Sequence, residues 1–177
     1  MDLNDIITGC CRNKSGAQEQ LYRLYKDVLF VLCLKYSRNA EEAEDNLHNA
    51  FIEIFTHISK YKNQGSFEGW MKRIAINTAI KAYKKKKDHK AIINDIPEDT
   101  DVDSAEMDIP ADYLLEMIQQ LPDQYRLVFN LYELDDYTHS EIAQMLSISE
   151  GTSKSNLHRA KQILKEKIRA IKVTHYR

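Results

Sequence analysis

Apolar residues recur at three- and four-residue intervals along almost the whole chain, a spacing that belongs to helices and leaves little room for sheet. Only five Gly and three Pro interrupt 177 residues, and no alternating strand pattern of useful length occurs. The pattern predicts helices at about 2–10, 15–36, 39–58, 67–87, 111–120, 123–134, 139–146 and 150–171. The fold class that follows is all-α.

Charge divides the chain. From Lys60 to Lys90 ten Lys or Arg stand against two acids, from Asn94 to Glu116 there are nine acids and no base, and from Glu150 to Lys172 seven bases face two acids. The overall charge of −2 therefore conceals two basic blocks of the kind that meet nucleic acid. The stretch from Asp88 to Pro110 has too little apolar content to fold by itself and reads as an acidic flexible linker. Two small helical domains are expected around it, at 1–87 and 111–177. The three cysteines include no CxxC pair, so neither a disulfide scaffold nor a structural zinc site is expected. No apolar run approaches the roughly 20 residues that span a bilayer, and the first residues lack the pattern of a secretory signal. A cytoplasmic protein without membrane insertion is expected.

The segment from Tyr137 to Lys161 reads as two helices joined by a tight turn. Thr138 and Glu141 have capping-box spacing, Ile142, Ala143 and Leu146 form an apolar stripe, and Ser149 suits the N-cap of the next helix. Leu157, Ala160, Ile163 and Leu164 form a second stripe, and Lys154, Ser155, His158 and Arg159 fall on the opposite, basic face. This is the build of a helix-turn-helix whose second helix enters a DNA major groove.

In the first half, the predicted core stripes are Leu21, Leu24, Tyr25, Val28 and Leu32; then Ala43, Leu47, Ala50, Phe51, Ile54 and Ile58; then Trp70, Met71, Ile74, Ala75 and Ile80. The polar loop Lys60–Ser66, ahead of a helix that continues through Arg73 and Lys81 to Lys84–Lys87, suits an unstacked base and its phosphates. Asp45 and His48 share the spacing of a bundle di-metal motif, but no second copy accompanies them, so no metal or other cofactor is expected. No nucleophile–base pair or phosphate-binding Gly loop points to an enzyme.

Four stretches in order, Ala43–Phe51, Ser66–Ile80, Leu121–Phe129 and Glu150–Lys161, resemble the bacterial RNA polymerase sigma factors of the extracytoplasmic-function group within the sigma-70 family. The resemblance covers nearly the whole chain. It implies a promoter-specificity subunit that binds core RNA polymerase through the β′ clamp coiled coil, using Glu41, Glu44, Asp45, Leu47, His48 and Phe51. It implies capture of the downstream promoter element by Lys62, Asn63, Ser66, Phe67, Trp70, Arg73, Ala75, Asn77, Lys84 and Lys85. Upstream promoter DNA falls to Lys154, Ser155, Asn156, His158 and Arg159. An anti-sigma factor is the regulatory partner such a subunit implies. The chain departs from the family pattern at Asn46, His48 and Asn49, at Thr78 and Lys81, and at Thr152–Ser153–Lys154, where Ser153 replaces a β-branched apolar anchor. Two rivals remain at this point: a helix-turn-helix regulator acting on duplex DNA without polymerase, and a helical interaction protein with merely solvated basic faces.

Overall fold

The computed structural model describes residues 2–87 and 110–175, so most of the acidic segment expected to be a linker lies outside the described residues. Eight α-helices follow in order: α1 Leu3–Cys11, α2 Ser15–Tyr36, α3 Ala40–His57, α4 Phe67–Lys87, α5 Ala111–Gln119, α6 Asp123–Phe129, α7 His139–Leu146 and α8 Glu150–His175. No strand occurs among the described residues. The fold is all-α, in two helical halves.

Helices α1 to α4 form the first half around Leu21, Leu29, Leu32, Ala50, Ile54, Met71 and Ile80. Helix α1 lies close to α2 because Gly9 has no side chain: a Cβ there would stand 2.6 Å from that of Ala17. The start of α3 is closed reciprocally, the Asn39 side chain accepting from Glu42 N at 2.8 Å and the Glu42 carboxylate accepting from Arg38 N at 2.8 Å. Burial pushes the Cys33 thiol up to about 12 and the Cys10 thiol above its ordinary value, so both act as small apolar core residues.

The α2 stripe is corrected. Leu24 and Val28 are 58% and 40% exposed, while Ala17, Leu21, Leu29, Leu32, Cys33 and Tyr36 are buried. At about 100° per residue, Leu24 falls just outside the arc of buried residues on α2 and Val28 falls at its margin; spacing alone does not show which positions near the edge a neighbouring helix covers.

In the second half, Met117, Ile118 and Leu121 pack on Ala160 and Leu164 of α8. The remaining apolar residues, Leu127, Val128, Leu131, Ile142, Leu146 and Leu157, join the cluster that fills the first half. The two halves thus pack on each other. Sequence spacing predicts one helix from 123 to 134, whereas α6 passes at Asn130 into a π turn over Asn130–Leu134. Asp135 N bonds Asn130 O at 3.1 Å, which closes it.

That turn carries the junction. The carbonyls of Leu34 and Lys35, orphaned by the end of α2, accept from the side chains of Gln119 at 3.1 Å and Asn130 at 2.6 Å. Tyr36 donates to the Asp135 carboxylate at 2.6 Å, and Arg38 grips Asp123 with two nitrogens, Nε standing 2.8 Å from Oδ1. Asp123 also accepts from Arg126 at 2.6 Å, and Arg126 donates to Gln119 O and Leu121 O, locking the α5–α6 corner.

Asn130 is fully buried and its amide donates to the Lys35 carbonyl. Asn130→Ala is expected to lower stability by about 1–3 kcal/mol, read from the midpoint of urea unfolding. Burial works against the Asp123 carboxylate, but Arg38 and Arg126 outweigh it and hold its pKa below the ordinary value. A depressed folded pKa contributes stability that is present above the unfolded pKa of about 3.9 and is lost as pH falls through the folded value. The melting-temperature gap between the native chain and Asp123→Asn is therefore expected to be full at about pH 7 and to shrink below about pH 4.

Candidate nucleic-acid interface

Helices α7 and α8 form the helix-turn-helix, and local chemistry sets both ends of the turn. Thr138 Oγ1 accepts from Glu141 N at 3.3 Å while the Glu141 carboxylate accepts from Thr138 N at 2.8 Å, the reciprocal cap that the spacing predicts. Ser147 ends α7 in the left-handed region at φ 56°, and Ile148 N returns to Ala143 O at 3.0 Å. Ser149 Oγ accepts from Thr152 N at 3.0 Å, so Ser149 caps α8 as its sequence position indicates.

The inner face of α8 is Ser153, Asn156, Leu157, Ala160 and Leu164, all buried. The outward face carries Lys154 and His158, both exposed, with Ser155 half-buried beside them. Asn156, at 5% exposure, faces inward; it lies on the Ser153–Leu157–Ala160 side of the helix, away from exposed Lys154 and His158. Arg159 is half-buried, and its guanidinium donates to Tyr125 of α6 at 3.1 Å, so it braces the helix as well as facing its basic side.

A second basic face lies on α4 and the loop before it. Asn63 and Gly65 take left-handed backbone at φ 53° and 80°, and Tyr61 closes the loop by donating to Gly65 O at 2.9 Å. Lys62, Asn63 and Ser66 are exposed. Ser66 Oγ accepts from Gly69 N at 2.9 Å, so this hydroxyl is already the N-cap of α4. Phe67 is buried under the loop, stacked on Trp70 with centroids 5.5 Å apart and edge-on to Tyr61 at 5.0 Å. Ala75 is likewise interior. Phe67 and Ala75 are interior in this structure, because their positions on α4 turn toward α2 and α3. Trp70 and Asn77 line an open cleft of about 460 Å³ together with Glu53, His57, Lys60, Ile74, Lys81 and Lys84. Lys85 is exposed near the end of α4.

The same face of α4 meets the helix-turn-helix. Met145 of α7 forms one wall of the cleft, Lys84 Nζ donates to Ser147 Oγ at 2.9 Å, and the Arg73 charge acts on the Tyr137 phenol, opposing the upward push of its burial. Sequence reasoning gave no sign of this contact: Tyr137, Met145 and Ser147 carry no pattern that names a distant partner.

On α3, Glu41, Glu44, Asp45 and His48 are exposed along one stripe. Leu47 and Phe51, at 8% and 4% exposure, belong to the core, Phe51 packing its ring on Tyr22 at 4.7 Å and Phe55 at 5.8 Å. Both lie where the predicted core stripe of α3 puts them, beneath the exposed acids rather than among them. Asn46 is buried as well and donates to Ser37 Oγ at 2.9 Å.

Comparison with known proteins accords with this architecture. Residues 21–89 match Sigma-70 region 2 and residues 111–164 match Sigma-70 region 4. The ECF RNA polymerase sigma factor SigW of Bacillus subtilis (strain 168) is 31% identical over 177 residues, covering 88% of this chain and 92% of SigW. SigM of the same organism is 28% identical over 153 residues, covering 83% of this chain and 92% of SigM. In fold, the chain is similar to the sigma factor RpoE of Bartonella quintana, solved with the anti-sigma factor NepR, at a TM-score of 0.53 and 16% identity over 85% of this chain and 96% of that one. With both sigma-70 regions present in order and a relative this close over most of its length, the chain belongs to the extracytoplasmic-function group of the sigma-70 family and is an RNA polymerase sigma factor.

Proposed function

We propose that residues 1–87 dock on core polymerase and open the downstream promoter element, that 88–110 tether the halves, and that 111–177 read the upstream element. The observation that carries this reading is the presence of two basic faces of different build on one chain. The α8 face presents Lys154, Ser155 and His158 from a regular helix, as duplex readout requires. The α4 face combines an irregular polar loop with a cleft containing Trp70 and Asn77, which suits an unstacked base. Lys62, Asn63 and Ser66 supply donors at the loop, and Arg73, Lys84 and Lys85 follow the phosphate backbone. Phe67 and Ala75 support that surface from beneath. Arg159 steadies α8 through Tyr125 at the edge of this face.

Docking falls to the exposed stripe Glu41, Glu44, Asp45 and His48, with the β′ clamp coiled coil as its counterpart and Leu47 and Phe51 as its rigid backing. The chain performs no catalysis of its own and works in the cytoplasm. An anti-sigma factor is its regulatory partner, of the kind that RpoE has in its NepR complex. Since Lys84 donates to Ser147 and Met145 walls the cleft, full exposure of the α4 face on this reading requires α7 to move away from α4.

Run-off transcription with core polymerase and a library of randomised promoter elements tests the reading. The expected result is initiation confined to templates that share an upstream and a downstream sequence. Specific duplex binding without polymerase, and no initiation with it, would favour the regulator instead. Replacing Lys84 and Lys85 by Gln is expected to weaken promoter binding evenly across sequences. Its salt dependence should flatten by about 0.9 in log–log slope for each phosphate that is no longer neutralised. An unchanged slope would take these lysines out of the interface.

A further inference from the structure

Ser153 is fully buried on the inner face of α8, where an unpartnered hydroxyl would cost stability. Its Oγ lies 2.9 Å from Nδ1 of His139, the first residue of α7. That imidazole is stacked on Tyr132 of the π turn, with centroids 4.4 Å apart and planes within 18°. Three successive elements are thereby linked: the phenol sets the plane of the imidazole, and the imidazole sets the direction of the hydrogen bond to α8.

The rest of the inner face defines rotation poorly. Leu157, Ala160 and Leu164 give apolar contact, which tolerates sliding, and the buried Asn156 has no hydrogen-bond partner for Nδ2. A hydrogen bond weakens steeply off its axis. Turning α8 by about 30° moves a side-chain tip about 3 Å, for a helix radius of about 5–6 Å with side chains. Such a shift is enough to break contacts made at about 2.7–3.2 Å.

We propose that Ser153 and His139 are positioning residues for sequence readout: their hydrogen bond, oriented by Tyr132, fixes the rotation of the first turns of α8, ahead of the Arg159–Tyr125 brace, and hence the direction in which Lys154, Ser155 and His158 meet base edges. This rests on the proposed reading of α8 as the upstream-element helix. Burial, and then the nearby Lys154, lower the His139 pKa against the opposing pull of Glu150. The neutral ring is therefore favoured, and either tautomer makes the bond, Nδ1 accepting from the hydroxyl or donating to it.

The test uses the full chain with core polymerase on duplexes carrying every single-base variant of the selected upstream element. Ser153→Ala and His139→Phe are each expected to reduce preference for the best sequence about three- to tenfold, the worth of one hydrogen bond. Binding to unrelated duplex is expected to stay unchanged. The double variant is expected to be no worse than either single one, and His139→Asn, which keeps a polar atom at the Nδ1 position, to retain the preference. Nitrogen NMR of the free chain should show the His139 Nδ1 resonance moving in Ser153→Ala. Equal loss on every sequence, additive losses, or an Nδ1 resonance indifferent to Ser153→Ala would each overturn the proposal while leaving the functional reading intact. A native chain with no base preference, yet with the Nδ1 response, would overturn the functional reading and the positioning role together.

Discussion

A helix that stops inside a protein leaves carbonyls in need of donors, and this requirement at the end of α2 organises the molecule. Gln119 and Asn130 supply the donors from the second half, on either side of the corner that Arg126 locks. Once those amides are seated, Asp135 comes within reach of Tyr36 and Asp123 comes within reach of Arg38. Burial of Tyr36, and then the neighbouring Asp135, push the phenol well above its ordinary pKa, so it remains a donor at any physiological pH. The cluster is tied together by these bonds, although Arg126 Nε and Asn130 Oδ1 are buried without a partner, and losing one member weakens its neighbours.

Much of the architecture was legible because it is local. The capping box at Thr138 and Glu141, the N-cap at Ser149 and the Gly- and Pro-poor helical spacing depend on residues within a turn of one another, and the structure agrees with them. The stripe on α3 was readable for the same reason. What escaped depends on partners distant in sequence. Nothing near Asn130 announces that its amide will serve a carbonyl almost a hundred positions earlier, or that the helix there must widen into a π turn. The burial of Asn156 and the exposure of Leu24 share one cause: periodicity locates a face, while only the neighbouring helices determine its width.

The two basic surfaces solve different problems. On α8 the backbone is regular, and on the proposed reading specificity would depend on the angle at which Lys154, Ser155 and His158 are offered. On α4 the neighbouring loop is irregular, with two left-handed residues before the first turn, and the aromatic cluster of Tyr25, Tyr61, Phe67 and Trp70 gives it a rigid floor. Rigid floors matter at such sites because the geometry is then settled before a ligand arrives.

The contact of α7 with α4 has a consequence for selectivity in a crowded cell. A bare lysine-rich helix beside an aromatic cleft attracts any loose polynucleotide, through phosphates and stacking alike. Here Tyr137, Met145 and Ser147 occupy that ground first. Were the halves apart in about one molecule in a hundred, stray strands would bind about a hundredfold more weakly than the exposed surface allows. On the proposed reading, that cover would weaken binding of background RNA, and a ligand offering further contacts elsewhere on the chain would be favoured over it.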